Sequence, residues 1–381
     1  MNFIFMKKII ILSIAILMIV FSCDIKKKAK LIKIKEIPIE SKFVPSLNNS
    51  GVFMHKGKEY YFLSDINTFK EVAFYNSKGK KVDSVSLKDV IKKEGTLKGI
   101  SVHNLDTIFC LSCNNNISSI DNNGEIIRLF NFDNKIIYKY TLYSPSYHGF
   151  YSDSKMFFDC EPKNLDNNKL DKIELLKYQL EFLYKEPYFI CIENVFDTSN
   201  IKIKTYLDGY YSTFLSSDYL AVENCNMSIN DNIIYVWSWY NDTITKININ
   251  NHKTIKIRLQ SEYSNIVVPP ISIYKNISIS ENLRRYGAIN RLVYDKYRDV
   301  FYVMFLHDTP GNKDSDKYRN FSIAVYDNNF NKLLEKELNP KIYINYLFVN
   351  QEGLVLIKYD KENLTNQSKR KYTYEIYKVD D

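Results

Sequence analysis

The chain has 381 residues and a formal net charge of +8, and it is rich in tyrosine (31) and phenylalanine (23) but poor in glycine (11). This length exceeds most single cores but is normal for one large all-β or repeat architecture, so we expect one domain. Aromatic residues favour half-buried strands. With so few glycines, the chain has little from which to form a glycine-rich phosphate-binding loop.

The first 23 residues have the pattern of a lipoprotein signal sequence. Lys7 and Lys8 precede an apolar run over 9–21, which has the length of a signal-peptide core and is too short to span a bilayer. Ser22 then precedes Cys23, as in the bacterial lipobox, where the cysteine thiol takes a diacylglycerol. We predict a signal peptide over 1–22 and a lipidated, acylated Cys23 that holds the protein on a membrane.

The positive charge is concentrated behind this cysteine. Residues 24–35 contain six lysines against Asp24, and the lysines of the signal leave with it, so the region 36–381 is nearly neutral. Anionic head groups attract lysines beside a lipid anchor. We therefore expect 23–35 to be a basic membrane tether, and nucleic acid is excluded as a partner.

The tether also bears on location. Some groups of surface-exported bacterial lipoproteins carry acidic residues soon after the lipidated cysteine, whereas residues 24–28 are mostly basic. We expect an outer-membrane lipoprotein that faces the periplasm rather than the cell surface.

The remaining cysteines give no metal or redox pattern. Cys110 and Cys113 form a CxxC, but it lies in a predicted strand, where residues three apart point to opposite faces, and no second CxxC follows. We interpret both as semi-buried thiols and expect no metal and no cofactor. Disulfide pairing is left open among five cysteines: Cys110, Cys113, Cys160, Cys191 and Cys225.

A four-strand unit recurs along residues 36–381. Short apolar strands alternate with Asn, Asp or Gly turns, and a copy with all four strands begins with a strand at Tyr219–Val222. Such units at spacings of roughly 45 to 60 residues are typical of propeller blades. We predict an all-β propeller with six blades, or seven as the alternative, closed by a strand at Leu31–Ile39 that completes the C-terminal blade. Leu170–Tyr184 has helical spacing and is predicted to be one inserted helix.

The segment Glu281–Gly287, leading into Leu292–Tyr302, resembles a segment typical of a Bacteroidota lipoprotein family of unknown function. The resemblance implies a six-bladed propeller of the NHL and Tol-B-like kind. An arginine commonly follows the paired aromatics in that family, whereas Val303–Phe305 stands in its place here.

Two groups of residues are candidates for ligand binding. Arg284, Arg285 and Tyr286 precede a strand and are expected in a loop at the ring mouth; a solvated basic loop is the alternative. Trp237 and Trp239 could stack on a sugar ring, with packing between blades as the alternative. The turn 294–299 is predicted to be structural, with Asp295 accepting backbone N–H groups and Arg298 pairing with a carboxylate.

No catalytic motif was found. The sequence contains no nucleophile elbow, zinc-protease helix, Walker loop or dinucleotide fingerprint, and its five histidines are scattered. We expect a non-catalytic, lipid-anchored propeller that binds a protein, a peptide or a glycan. The alternative is an envelope glycan lyase or hydrolase with its site at the propeller mouth.

Overall fold

The computed structural model describes the following residues: 29–45, 50–65, 70–112, 116–130, 140–143, 155–162, 189–194, 202–206, 225–230, 232–267, 286–308, 319–340, 342–359 and 370–380. Cys23 and the predicted helix Leu170–Tyr184 lie outside these residues. Among the described residues, no helix is long and apolar enough to cross a membrane.

The described residues form six four-stranded antiparallel sheets that follow one another along the chain. The closing sheet combines the N-terminal strand β1 (Lys30–Ser41) with β22 (Tyr343–Val349), β23 (Leu354–Tyr359) and β24 (Arg370–Asp380). The first sheet contains β2 (Ser50–His55), β3 (Lys58–Ser64), β4 (Glu71–Asn76) and β5 (Lys81–Ser86). The second contains β6 (Leu97–Asn104), β7 (Thr107–Ser112), β8 (Ile117–Ile120) and β9 (Ile126–Phe130).

The other three sheets have the same order of strands. The third contains β10 (Tyr140–Tyr143), β11 (Lys155–Pro162), β12 (Phe189–Glu193) and β13 (Lys202–Tyr206). The fourth contains β14 (Cys225–Asn230), β15 (Ile233–Ser238), β16 (Thr243–Asn248) and β17 (Thr254–Arg258). The fifth contains β18 (Ala288–Asp295), β19 (Val300–Leu306), β20 (Phe321–Asp327) and β21 (Lys332–Leu338).

Contacts between first strands join five of the six sheets into blades of a β-propeller. Strand β14 contacts β18, β18 contacts β22, β22 contacts β2, and β2 contacts β6. The third sheet, β10–β13, is a further four-stranded sheet that lies between the second and fourth in chain order. The prediction of six blades, with seven as the alternative, is corrected accordingly: the described contacts establish five joined blades and one further sheet. A repeat in the sequence counts sheets but carries no information on how their first strands pack.

The prediction that the N-terminal strand completes the C-terminal blade is confirmed. Strand β1 pairs with β24 from Lys30 opposite Asp380 to Ser41 opposite Arg370. The N-terminal strand therefore completes the C-terminal sheet, which covers an edge that would otherwise be open.

Two local predictions need correction. The first strand of the fourth sheet is Cys225–Asn230, which pairs with β15, and not the predicted Tyr219–Val222, which lies outside the described residues. The described residues also contain a helix that the sequence did not indicate, α1 (Lys88–Glu94), between the first and second sheets. Seven residues with only Val90 and Glu94 buried are too few for a helical period to stand out.

The repeated turns have a common cause. In each of four sheets, the Asn or Asp that ends the third strand or follows it directly accepts backbone N–H groups of the turn through its side-chain oxygen, as predicted for such residues. The accepting residues are Asn76, Asp121, Asn248 and Asp327.

Each blade has two distinct ends, because strand direction alternates in an antiparallel sheet. Turns between first and second strands, and between third and fourth strands, lie at what we call the lower end. Connections between second and third strands, and from one sheet to the next, lie at the upper end. Hydrogen bonds between lower turns of neighbouring blades, such as Arg298 to the carbonyl oxygen of Asn350, show that the joined blades point the same way.

Candidate functional site

The predicted ring-mouth loop leads to a cluster at the upper end of the fifth blade. Arg284 and Arg285 lie outside the described residues, but Tyr286 is placed directly before β18 and is half-buried. Four more residues, from three connections, lie at the upper end of the fourth and fifth blades. We call this set the upper cluster, and its members are Trp239, Tyr263, Tyr286, His307 and Arg319.

Arg319 ties two parts of the upper cluster together through backbone atoms. Its Nε donates to the carbonyl oxygen of His307 at 2.7 Å, and Nη2 donates to the carbonyl oxygen of Tyr286. The backbone N–H of His307 in turn donates to the carbonyl oxygen of Asn320 at 2.9 Å. One guanidinium group therefore fixes the loop that precedes β18 against the end of β19.

His307 is a neutral base held in a buried position. It is 6% exposed, and burial, helped by the nearby charge of Arg319, lowers the pKa of its imidazole against the opposing effect of Glu337, Glu335 and Asp308. Nδ1 lies 3.5 Å from Oε1 of Glu337, which favours the proton on Nδ1. Among the described residues, Nε2 is buried and has no hydrogen-bond partner.

Tyr263 supplies the exposed surface of the cluster. Its ring stacks on that of His307 with centroids 5.5 Å apart and an interplanar angle of 12°, and the residue is 43% exposed. The next residue, Ser264, shares its hydroxyl proton between Oδ1 of Asp308 at 3.2 Å and the carbonyl oxygen of Leu306 at 3.4 Å. The segment that carries Tyr263 is thereby attached to the end of β19.

Gly287 is needed for the close approach of two segments in this region. A Cβ atom at this position would lie 2.1 Å from Oγ of Ser264 and 2.7 Å from the carbonyl oxygen of Asn265. Any larger residue would push the segment that carries Tyr263 away from the one that carries Tyr286.

The two tryptophans have different environments. Trp237 lies on β15, is fully buried, and donates from Nε1 to the carbonyl oxygen of Ile289 at 3.2 Å. A fully buried ring offers no face to a sugar, so its position fits packing between blades. Trp239 lies just beyond β15, is partly buried and packs in the same hydrophobic cluster as Tyr286. Its indole N–H is buried and has no acceptor among the described residues.

The predicted structural role of the turn 294–299 is confirmed. Asp295 is fully buried and accepts the backbone N–H groups of Tyr297 at 3.0 Å and Arg298 at 3.2 Å, as well as Nε of Arg298. The same guanidinium group donates to the carbonyl oxygens of Asn350 and Gln351 at 2.9 Å and 3.0 Å. This turn links the fifth blade to the closing blade and lies at the lower end, away from the upper cluster.

A buried arginine on a first strand was not predicted from the sequence. Arg291 on β18 is fully buried, and its guanidinium lies 4.7 Å from the ring centroid of Tyr346 on β22. Tyr346 donates its hydroxyl proton to the carbonyl oxygen of Ser50 on β2 at 2.8 Å. The chain of contacts crosses three neighbouring first strands. Its only sequence signal is an arginine in the middle of an apolar strand. In the structure, the register of β18 shifts just before this residue.

The cysteines and acidic residues do not gather into a further site in the described part of the chain. Cys110 and Cys191 are both buried, and burial raises the pKa of the Cys110 thiol to about 12. No group of three His, Cys, Asp or Glu side chains among the described residues is arranged to hold a metal ion.

Comparison with known proteins yields a fold and no family. No protein-family model matches the sequence, and no curated protein matches it. A crystal structure of a DUF4221 family member from Bacteroides vulgatus is similar, with a TM-score of 0.71, 16% sequence identity, and coverage of 93% of this chain and 99% of that one. A candidate exported protein from Bacteroides fragilis is similar with a TM-score of 0.51, 10% identity, and coverage of 94% and 97%. At these identities the likeness concerns the fold: this chain is an all-β propeller similar to structures from Bacteroides.

Proposed function

We propose that this protein is a lipid-anchored propeller of the cell envelope that binds a glycan, without catalysis, at the upper cluster. The observation that carries the proposal is the pairing of an exposed tyrosine ring with two buried polar groups that lack partners among the described residues. Tyr263 offers the ring, Nε2 of His307 is an acceptor, and Nε1 of Trp239 is a donor.

This combination suits a sugar better than a charged ligand. Flat aromatic rings pack on the apolar face of a pyranose, and a few fixed donors and acceptors then select its hydroxyl groups. Because the imidazole of His307 is neutral, it can accept a hydrogen bond from a hydroxyl group. A peptide or a partner protein remains an outcome of the test.

A thermal-shift assay on the detergent-solubilised lipoprotein tests the ligand. The probes are maltohexaose, cellohexaose, chitohexaose and a tryptic digest of envelope proteins. A probe at 100 times its dissociation constant stabilises the folded state by about 2.7 kcal/mol. We expect a shift with one glycan. A shift with the peptide digest alone would replace the glycan with a peptide, and the absence of any shift would overturn binding of both classes.

The anchor is tested separately. We expect the wild-type chain to sediment with the outer membrane and to incorporate labelled palmitate at Cys23, and Cys23→Ala to lose both properties. We also propose that the protein faces the periplasm, so protease added to intact cells should leave it whole. Degradation in intact cells would place it on the surface.

One observation favours a second candidate function, that of a glycan lyase or hydrolase. A neutral histidine near neutral pH is suited to act as a general base, and His307 lies beside the tyrosine ring of Tyr263 and the guanidinium group of Arg319. New reducing ends or unsaturated products from envelope polysaccharides, lost in His307→Gln, would support catalysis. Unchanged polysaccharides would exclude it for the substrates tried.

A further inference from the structure

The N-terminal strand shows where the lipid anchor leaves the propeller. Lys30, the first residue of β1, pairs with Asp380, the last residue of β24, so β1 begins at the lower end. Only residues 24–29 separate it from Cys23. Since an extended chain covers at most about 3.5 Å per residue, an acylated Cys23 keeps the lower end within about 25 Å of the membrane.

Exposed lysines occupy the lower turns of the first blade. The turn between β2 and β3 carries Lys56 and Lys58, and the turn between β4 and β5 carries Lys78, Lys80 and Lys81; all five are exposed. No acidic residue occurs within 56–58 or 76–81.

These lysines lie close to the strand that carries the tether. The turn 76–80 packs directly on β1, because a Cβ at Gly79 would lie 2.0 Å from the carbonyl oxygen of Pro38. The lysine-bearing turn of the first blade therefore adjoins β1 at Pro38, eight residues along the strand from Lys30.

Exposed apolar side chains lie among the lysines. Ile32 and Ile34 on β1 are 42% and 46% exposed, and Val82 at the start of β5 is 45% exposed. Ile34 and Val82 each sit where the strand register shifts, so neither is paired with a residue of the neighbouring strand.

An aromatic side chain adds to this surface. Tyr297, in the lower turn of the fifth blade, is 44% exposed, and Nζ of Lys296 lies 5.4 Å from its ring centroid. Aliphatic, tyrosine and lysine side chains together are typical of surfaces that rest in the headgroup region of a bilayer.

The acidic groups near this surface are largely paired. Glu36 pairs with Lys33, and Glu352 pairs with Lys35 at 2.7 Å. Asp299 accepts hydrogen bonds from the hydroxyl group of Tyr294 and the amide group of Asn328. Glu71 pairs with Lys81 at 3.3 Å. The remaining acidic side chains near this surface include Asp83, Asp106 and Asp380, which are exposed.

We propose that this surface, formed by residues 30–34, 56–58, 76–82 and 296–297, lies against the membrane and contacts anionic phospholipid headgroups. The inference rests on the lipid anchor of the proposed function. It fixes the orientation of the propeller: the lower end faces the bilayer, and the upper cluster faces away from it, open to a ligand in the aqueous phase.

Two tyrosines of equal exposure at opposite ends provide a matched test. The full lipidated protein is reconstituted in vesicles of phosphatidylethanolamine and phosphatidylglycerol that contain brominated acyl chains, which quench nearby tryptophan. Tyr297→Trp places the probe at the lower end, and Tyr263→Trp places it at the upper end. The wild-type signal of Trp237 and Trp239 is subtracted. We expect the emission added by Tyr297→Trp to be quenched and shifted to the blue, and that added by Tyr263→Trp to be unaffected.

Charge reversal tests the role of the lysines. In the Tyr297→Trp background, the triple change Lys56→Glu, Lys58→Glu and Lys80→Glu should reduce the quenching. The matched control reverses Lys88, Lys92 and Lys93, which are exposed on α1 at the upper end, and should leave the quenching unchanged.

The outcomes separate the orientation from the anchor and the ligand. Co-sedimentation with vesicles but no quenching of the Tyr297→Trp signal, or equal quenching of both probes, overturns the orientation while the anchor stands. Absence of co-sedimentation overturns both the anchor and the orientation. The thermal shift with glycans is independent of either result.

Discussion

Arg298 donates a hydrogen bond from Nη2 to the carbonyl oxygen of Asn350, 2.9 Å away, although 52 residues separate them in the chain. The amide group of Asn350 donates onward to Glu59 at 3.1 Å and to the hydroxyl group of Tyr61 at 3.0 Å. Three neighbouring blades are thus joined at the lower end, through one turn each of the fifth and closing blades and through the first residues of β3. The ring is held together there by polar contacts as well as by the apolar faces of its sheets.

Removing the guanidinium group at this junction should destabilise the whole propeller. In Arg298→Met, the fully buried carboxyl group of Asp295 loses its charged partner, and breaking a buried ion pair from one side costs about 3 kcal/mol. Urea-induced unfolding measures the loss. The control, Lys296→Met, changes an exposed neighbour and should stay within about 0.5 kcal/mol of the wild type. Equal stabilities of the two variants would contradict the structural role of the turn.

Two glycines test the contact between the first blade and β1. Gly57 and Gly79 both have a positive φ, of 73° and 77°, but nothing lies within 4 Å of a Cβ at Gly57, whereas one at Gly79 would lie 2.0 Å from the carbonyl oxygen of Pro38. Gly57→Ala should cost about 1 kcal/mol for backbone strain alone. Gly79→Ala should cost clearly more in the same unfolding experiment. A similar loss in both would show that the turn 76–80 does not rest on β1.

The two tryptophans should respond differently to truncation. Trp237→Ala removes a fully buried ring and its hydrogen bond to the carbonyl oxygen of Ile289, which should lower the free energy of unfolding by about 3 to 5 kcal/mol. Trp239→Ala removes a partly buried ring and should cost less while weakening ligand binding. Calorimetric unfolding gives both values. If Trp239 proved the more costly of the two, the assignment of Trp237 to blade packing would be wrong.

Glu375 should make the closure of the ring sensitive to acid. Burial raises the pKa of this carboxyl group, but hydrogen bonds from Tyr343, Tyr377 and Lys33 outweigh burial and leave the pKa below its usual value. A carboxyl group with a depressed pKa in the folded state stabilises the protein above its unfolded-state pKa of about 4.3. That contribution is lost as the pH falls through the lower, folded-state pKa.

The variant Glu375→Gln measures this contribution. Its stability deficit relative to the wild type should be full at neutral pH and should shrink as the pH falls below about 4. Glu40→Gln, at an exposed site 3.9 Å from Lys371, should show little deficit at any pH. A deficit in Glu375→Gln that does not change with pH would mean that the carboxylate charge is not what holds Lys33 and the two tyrosines.

The imidazole of His307 in the upper cluster should remain neutral at pH values below the usual imidazole pKa. Burial lowers the pKa of His307, so the neutral form is favoured in the folded protein. The stability that this provides is full above the unfolded-state pKa of about 6.5 and is lost as the pH falls through the lower, folded-state pKa. Titration of the imidazole carbon resonances by NMR measures the value directly, and a midpoint above 6.5 would contradict the environment described for His307.

Short-range patterns in the sequence predicted much of the fold. Asn76, Asp121 and Asp327 mark turns because their side chains bond to the backbone next to them, and the alternation around Ile37 marks β1 as a strand with one buried face. Contacts between distant segments could not be predicted in this way. The stacking of Tyr263 on His307 and the bridge that Arg319 makes between two backbones join residues 12 to 44 positions apart, and nothing in the local sequence records them.

Only part of the candidate site could be predicted from the sequence, because its contacts also join distant segments. Tyr286 and Trp239 were identified from the ring-mouth loop and the aromatic pair, whereas Tyr263, His307 and Arg319 each looked ordinary along the sequence. Arg291 was also missed, since a single arginine in a strand resembles an exposed residue until the neighbouring first strands are placed. Cys23, Arg284 and Arg285 lie outside the described residues and stay predictions.

The most direct test of the central claim is a calorimetric titration of the glycan that gives the largest thermal shift into the wild-type lipoprotein, Tyr263→Ala and Tyr297→Ala. The two tyrosines have nearly equal exposure but lie at opposite ends of the fifth blade. We predict that Tyr263→Ala weakens binding at least tenfold, equivalent to about 1.4 kcal/mol, and that Tyr297→Ala binds like the wild type. Unchanged binding in Tyr263→Ala, or equal losses in both variants, would contradict a binding site at the upper cluster.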